Sequence, residues 1–148
     1  MPVKSIPDGY QAVTPYLIVP AVARLITFLQ RAFGATEQRR FHRADGSVMH
    51  AEVRIRDAAV MLGEPRGEWK AMPAAIYLYV DDCDTVYQRA LDAGGTSVMK
   101  PTTMHHAGER YGGVKDPSGN VWWIATHLED LTPEEEARRI AAMAKERS

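Results

Sequence analysis

In the run Met49-His-Ala-Glu-Val-Arg-Ile55, His50 and Glu52 stand two residues apart. Residues i and i+2 of an extended chain share a face, so this spacing sets an imidazole beside a carboxylate. Such a pair can act as a general base and the group that tunes it, without a metal; it can equally be a plain ion pair at a cleft edge. His50 and Glu52 are therefore the candidate catalytic residues. His105 and His106 are adjacent and would point apart on a strand. A loop could bring them to His50 or His127, but nothing in the spacing demands a metal site. His127 follows a strand and is expected to bond backbone or pack at a subunit seam. Cys83 is the only cysteine, which leaves no intrachain disulfide and no multi-cysteine metal site.

These residues must be held by secondary structure, and the stretch from Val13 to Ala35 shows how. A β-branched and aromatic run to Val19 gives way to apolar positions at Val22, Leu25, Ile26, Leu29, Ala32 and Phe33, a strand feeding an amphipathic helix over about 21–33. Pro20 suits the switch and Gly34 the helix stop. The unit recurs at Ala75 to Gly95. Tyr16 and Tyr77, Leu17 and Leu78, Val19 and Val80, and Gly34 and Gly95 are all 61 positions apart. The same offset pairs Val60 with Val121 and Leu62 with Trp123, which predicts a duplicated module.

Strands are expected at 36–42, 48–55 and 58–62 in the first half, with a hairpin at Asp45-Gly46. Along 48–55, Ala51, Val53 and Ile55 should face the helix and His50, Glu52 and Arg54 the other side. Residues 63–73 read as the linker. The second half should place strands at 75–80, 96–103, 111–115 and 121–126, with a bulge or edge at Pro101, a loop at 105–109 and a turn at Asp116-Pro-Ser-Gly-Asn120. Thr132-Pro133-Glu134-Glu135 starts a last helix, 132–147, lying on the body or on a partner. Residues 1–12 read as a loose arm.

The chain has 148 residues and a formal net charge of −1, with 45% hydrophobic and 25% charged residues. Halves of about 60 residues are marginal alone, so one domain over 1–148 with a shared core is expected, with modules at 10–63 and 74–127. No basic stripe argues for nucleic acid, no apolar run suits a membrane helix, and the first residues lack the apolar centre of a secretory signal. A cytoplasmic address is the expectation.

The segments TPYLIV, RAFGA, MHAEVRI, AVMLGE, YLYVDD, RYGGVKDPSGNVWWIATH and LEDLTPEE together resemble the vicinal oxygen chelate superfamily, which holds glyoxalase I, ring-cleaving dioxygenases and bleomycin-resistance proteins, and within it the PhnB-like branch. The resemblance implies an α+β fold: two tandem βαβββ modules forming a curved mixed sheet around a cleft, plus the C-terminal helix, as a homodimer. Metal enzymes of the superfamily carry ligands on the first and last strands of each module. Carried onto this sequence, those places are Thr14, Leu62, Ala75 and Trp123, and none is a histidine or an acid.

With Thr14 and Trp123 facing the cleft, alternation adds Tyr16, Ile18, Val60, Leu62, Tyr77, Tyr79 and Val121 to its lining. The expected protein is metal-free, needs no cofactor, and binds a small aromatic or amphipathic molecule through Thr14, Tyr16, Leu62, Tyr77, Tyr79 and Trp123. Two alternatives remain: a metal-dependent lyase or dioxygenase, and a metal-free acid-base isomerase built on His50 and Glu52.

Overall fold

The computed structural model describes residues 2–147; Met1 and Ser148 lie outside the described residues. In chain order the elements are β1 (Tyr16–Ile18), α1 (Val22–Phe33), β2 (Thr36–His42), β3 (Val48–Ile55), β4 (Ala58–Gly63), β5 (Ala75–Tyr79), α2 (Cys83–Asp92), β6 (Thr96–Met104), β7 (Glu109–Lys115), β8 (Val121–His127) and α3 (Pro133–Arg147). They form two four-stranded sheets, ordered β1-β4-β3-β2 and β5-β8-β7-β6. In each sheet the first strand runs parallel to the last strand of its module and the other pairs are antiparallel, which is the tandem βαβββ arrangement expected from the repeat.

One core joins the halves. Helices α1 and α2 each cover one face of their module's sheet, and Leu25, Ile26, Phe28 and Leu29 of α1 share a single buried cluster with Tyr87, Ala90, Trp122 and Ile124 of the second module. The Phe33 ring lies 5.0 Å from that of Trp122. Gly95 is required here, because a Cβ at this position would come within 2.4 Å of Val114 and 3.2 Å of Phe28. The other face of each sheet is open, and the side chains considered below stand on it.

Two turns set which residues reach that open face. The β3–β4 hairpin spends two residues, Arg56 and Asp57, between the pair Ile55 and Ala58. Its counterpart spends three, closed by Asp116 N–H donating to the Asn120 carbonyl at 2.8 Å. The extra residue shifts β8 by one position against the repeat: Tyr16 pairs with Met61, Tyr77 with Trp123, and Met61 and Trp123 stand 62 apart.

A one-residue slip turns every side chain of a strand to the other face. Leu62, expected in the cleft, instead pairs with Leu17 and Ala51 and is fully buried in the helix-side core, as is Ile124, 62 positions on. Val60 is likewise buried in that core, and Met61 takes the open-face place.

Two strand starts differ from the sequence expectation by more than one residue. β1 begins at Tyr16 rather than Val13: Pro15 has no N–H to donate, and Val13 is exposed. β7 begins at Glu109, inside the expected loop, and pairs there with His127. The end of the arm before β1 is tied down at Gly9, Tyr10 and Gln11, for Tyr10 donates to Glu52, Arg54 donates to the Gly9 carbonyl, and Gln11 exchanges hydrogen bonds with the Ala59 backbone. β6 does shift register between Met99 and Thr102, across Pro101.

Candidate functional site

On the open face of the first module, His50 Nε2 meets Glu52 Oε2 at 2.7 Å and Tyr16 Oη meets His50 Nδ1 at 3.2 Å. Strand alternation places His50 and Glu52 on this face, and the β1–β4–β3 register carries Tyr16 and Glu52 to either side of Met61. Tyr10 donates to Glu52 Oε1, and Arg39 of β2 lies 3.5 Å from the same oxygen. Glu52 is buried, so all its acceptor capacity is turned inward.

Burial pushes the Glu52 carboxyl above its ordinary value. Burial, with help from the Arg39 charge, holds His50 below its own. A neutral imidazole therefore has one nitrogen to donate and one to accept, and the neighbours fix which: Nε2–H donates to Glu52 and Nδ1 accepts from Tyr16.

Next to this chain of bonds is an apolar hollow of about 450 Å³, lined by Tyr16, Ile18, Met49 and Trp69 together with Arg43 and Glu64. Trp69 comes from the short Arg66–Trp69 bridge in the linker and is 72% exposed. Arg43 donates to Ser47 Oγ and to the Glu64 carbonyl, and the Glu64 carboxylate accepts from the Val48 N–H.

The second module's open face is aromatic. Tyr77 lies 5.1 Å from Tyr79 and 5.8 Å from Tyr111, and Tyr111 lies 5.8 Å from Trp123, all in edge-on geometry. Gly113 makes room for the indole; a Cβ there would come within 2.7 Å of Trp123 Cζ3. Glu109 Oε1 accepts from Tyr77 Oη at 2.8 Å and from Tyr79 Oη at 2.9 Å, while His127 Nδ1 lies 2.7 Å from Glu109 Oε2. The other His127 nitrogen is 2.7 Å from Asp130.

Desolvation at Glu109 raises its pKa but is outweighed by the hydrogen bonds from His127, Tyr77 and Tyr79, leaving the carboxyl below its ordinary value. Asp130 first and Glu109 second raise His127. Burial and the bond to Glu109 push Tyr77 well up, and the same bond raises Tyr79. Tyr77 and Tyr79 also line a groove of about 770 Å³ with Arg56, Asp57, Asp81 and His127. That volume suits a small-molecule site.

The candidate residues thus fall into two groups. His50, Glu52 and Tyr16 meet on one face; Tyr77, Tyr79 and Trp123 meet on the other; Leu62 joins neither. Thr14 is turned back onto its own chain, its hydroxyl donating to the Gln11 carbonyl at 2.9 Å. Tyr10, Glu109, Tyr111 and Trp69 were not picked out from the sequence. Only Tyr111 had a sequence signal, since it stands 61 positions after His50.

The metal places of the superfamily do not suit an ion here. Thr14 donates to a carbonyl, Leu62 is in the core, Ala75 has no donor atom, and an indole N–H offers no lone pair. Met61, which stands on the open face in place of Leu62, offers only a thioether. Among the described residues no three His, Cys, Asp or Glu side chains come together in a way that could hold an ion.

Comparison with known proteins gives the chain its family. The Glyoxalase/Bleomycin resistance protein/Dioxygenase superfamily matches residues 11–124. An uncharacterised protein of Mycobacterium bovis is 35% identical over 135 residues, 84% of this chain and 88% of that one. An uncharacterised Mycobacterium tuberculosis protein is also 35% identical over 135 residues, covering 79% of its own length.

Among solved structures, TioX from Micromonospora sp. ML1 superposes with a TM-score of 0.64 at 21% identity, over 82% of this chain and 100% of that one. A glyoxalase-related enzyme from Fulvimarina pelagi gives 0.62 at 17% identity, over 78% and 87%. The chain belongs to the glyoxalase/bleomycin resistance/dioxygenase superfamily, and these structural likenesses bear on its fold.

Proposed function

We propose that this superfamily member, of the PhnB-like branch, binds a small aromatic or amphipathic molecule without a metal and works as a cytoplasmic homodimer. The observation that carries the reading is on the second module. Tyr77 and Tyr79 remain 43% and 55% exposed while their hydroxyls are fixed on the buried Glu109 carboxylate. A ring that merely fills space is covered, whereas these are anchored at the tip and bare on the face, which is how a stacking surface is prepared.

The dimer is supported by further apolar exposure on the first module and its linker, where Phe41 and Met72 are half exposed or more. No helix among the described residues is long and apolar enough to cross a membrane.

The neutral planar probe N-phenyl-1-naphthylamine tests the binding reading. Titration is expected to enhance probe emission and quench tryptophan saturably. Trp123→Leu and Tyr77→Leu should each weaken binding about tenfold or more, the equivalent of losing one ring's packing. Equal affinity in both variants, or no saturable binding, contradicts the proposal.

A further inference from the structure

We infer that Tyr16, His50 and Glu52 form a nucleophilic triad, with Tyr16 as the attacking group and a small apolar acyl compound, an ester or thioester, as the substrate class. The inference goes beyond ligand binding at the second module and does not rest on it. An activated nucleophile is recognised by a hydroxyl within reach of a base that is itself oriented by a third group. Here the hydroxyl is Tyr16 Oη, the base is His50 Nδ1 at 3.2 Å, and the orienting group is Glu52, at 2.7 Å from Nε2. Tyr10 and Arg39 hold the carboxylate in turn, so the imidazole tautomer that accepts from Tyr16 is fixed before any substrate arrives.

Two further observations place a substrate beside the hydroxyl. Tyr16 forms one wall of the 450 Å³ apolar hollow, which Trp69 borders and Arg43 also lines. At Gly63, on the same wall, an added Cβ would come within 3.2 Å of Tyr16 Oη and 2.9 Å of the Met49 carbonyl. A glycine there leaves the hydroxyl uncovered.

The chemistry balances without a cofactor. Tyr16 Oη attacks the acyl carbon and its proton passes to His50 Nδ1. The acyl–oxygen or acyl–sulfur bond then breaks, and the leaving group takes that proton. Water attacks the acyl-tyrosine, giving one proton to His50, and the Tyr16 oxygen recovers it as the carboxylic acid departs. The Arg43 guanidinium, which also donates to Ser47 Oγ and the Glu64 carbonyl, is the cation lining the hollow that would offset charge on the acyl oxygen. Glu52 acts through His50 and is a positioning residue.

Incubation with p-nitrophenyl acetate, followed by peptide mass spectrometry, tests this. Acetyl is expected on Tyr16 ahead of every other tyrosine. His50→Ala and His50→Gln should each slow that acetylation by at least about a hundredfold, the low side of what a positioned base contributes. Tyr16→Phe should abolish the fast phase of nitrophenolate release. Glu52→Gln should shift the pH midpoint of acetylation downward, because it removes the anion facing His50 and leaves Arg39; a purely structural Glu52 would leave the midpoint in place.

Acetyl spread over surface lysines and tyrosines regardless of His50, acetyl on His50 itself, or unchanged release in Tyr16→Phe overturns the triad. Each variant is checked for N-phenyl-1-naphthylamine binding at Trp123, which reports folding and keeps failure of the triad separate from failure of the binding proposal.

Discussion

Each module sets a histidine beside a glutamate on its open face, and the surroundings shift the two pairs in opposite directions. In the first, burial holds His50 below its ordinary pKa and Glu52 above, so each carries its charge over a narrower pH range than usual. In the second, His127 is raised and Glu109 lowered, so each carries its charge over a wider pH range than usual. The difference comes from surroundings rather than residue type. His50 lies partly buried, with one carboxylate beside it and the Arg39 charge close by, whereas His127 is half exposed between two carboxylates. A histidine beside a glutamate is therefore not one chemical unit; what else faces it decides how readily it holds a proton.

The duplication sharpens this contrast. The Tyr16–His50 ring pair, 5.5 Å apart and edge-on, occupies the place of Tyr77–Tyr111, and Glu52 and Met61 stand where the second module has Gly113 and Trp123. One copy carries polar groups that can move a proton, and the other carries rings.

The largest expected way to break the contrast is Glu109→Leu, which strips Tyr77, Tyr79 and His127 of their shared acceptor. The loss should be about 1–3 kcal/mol in a urea unfolding series, with the two phenols freed to turn toward solvent. Gly113→Ala drives a Cβ into the Trp123 ring, and the indole is expected to swing off Tyr111, with a changed near-ultraviolet circular dichroism spectrum and weaker N-phenyl-1-naphthylamine binding.

A histidine NMR titration sharpens the contrast without any substitution. The His50 midpoint should fall below 6.5 and the His127 midpoint above it. The reverse order, or two coincident midpoints, would break the comparison.

How much of this was legible beforehand divides along one physical line. Local signals gave the modules: alternating strands, the helix stop at Gly34, and an offset of 61 that holds for β1 and β5. Leu62 was misplaced because a hairpin with one more residue than its counterpart flips a whole strand, and its length is settled by hydrogen bonds such as Asp116 to Asn120. His50 and Glu52 were readable as neighbours along one strand. Their partners were not, since Tyr10 arrives from 42 residues before Glu52 and Glu109 meets Tyr77 across 32. Contacts across such separations leave no periodic trace in the chain.

The smallest expected effect is a pH slope. Because the folded pKa of His127 is raised, its stabilisation is complete below 6.5 and is lost as pH rises through the folded value. His50 has the opposite sign: its lowered pKa costs stability as pH falls below 6.5. His127→Gln should therefore flatten the loss of stability between about pH 6 and about pH 8, measured by urea unfolding.

The central claim, an aromatic face that takes its ligand without a metal, is tested most directly by elemental analysis paired with N-phenyl-1-naphthylamine titration before and after exhaustive chelation. The account predicts no stoichiometric transition metal and the same affinity in both titrations. A metal bound one to one, whose removal abolishes probe binding and whose return restores it, would contradict the account.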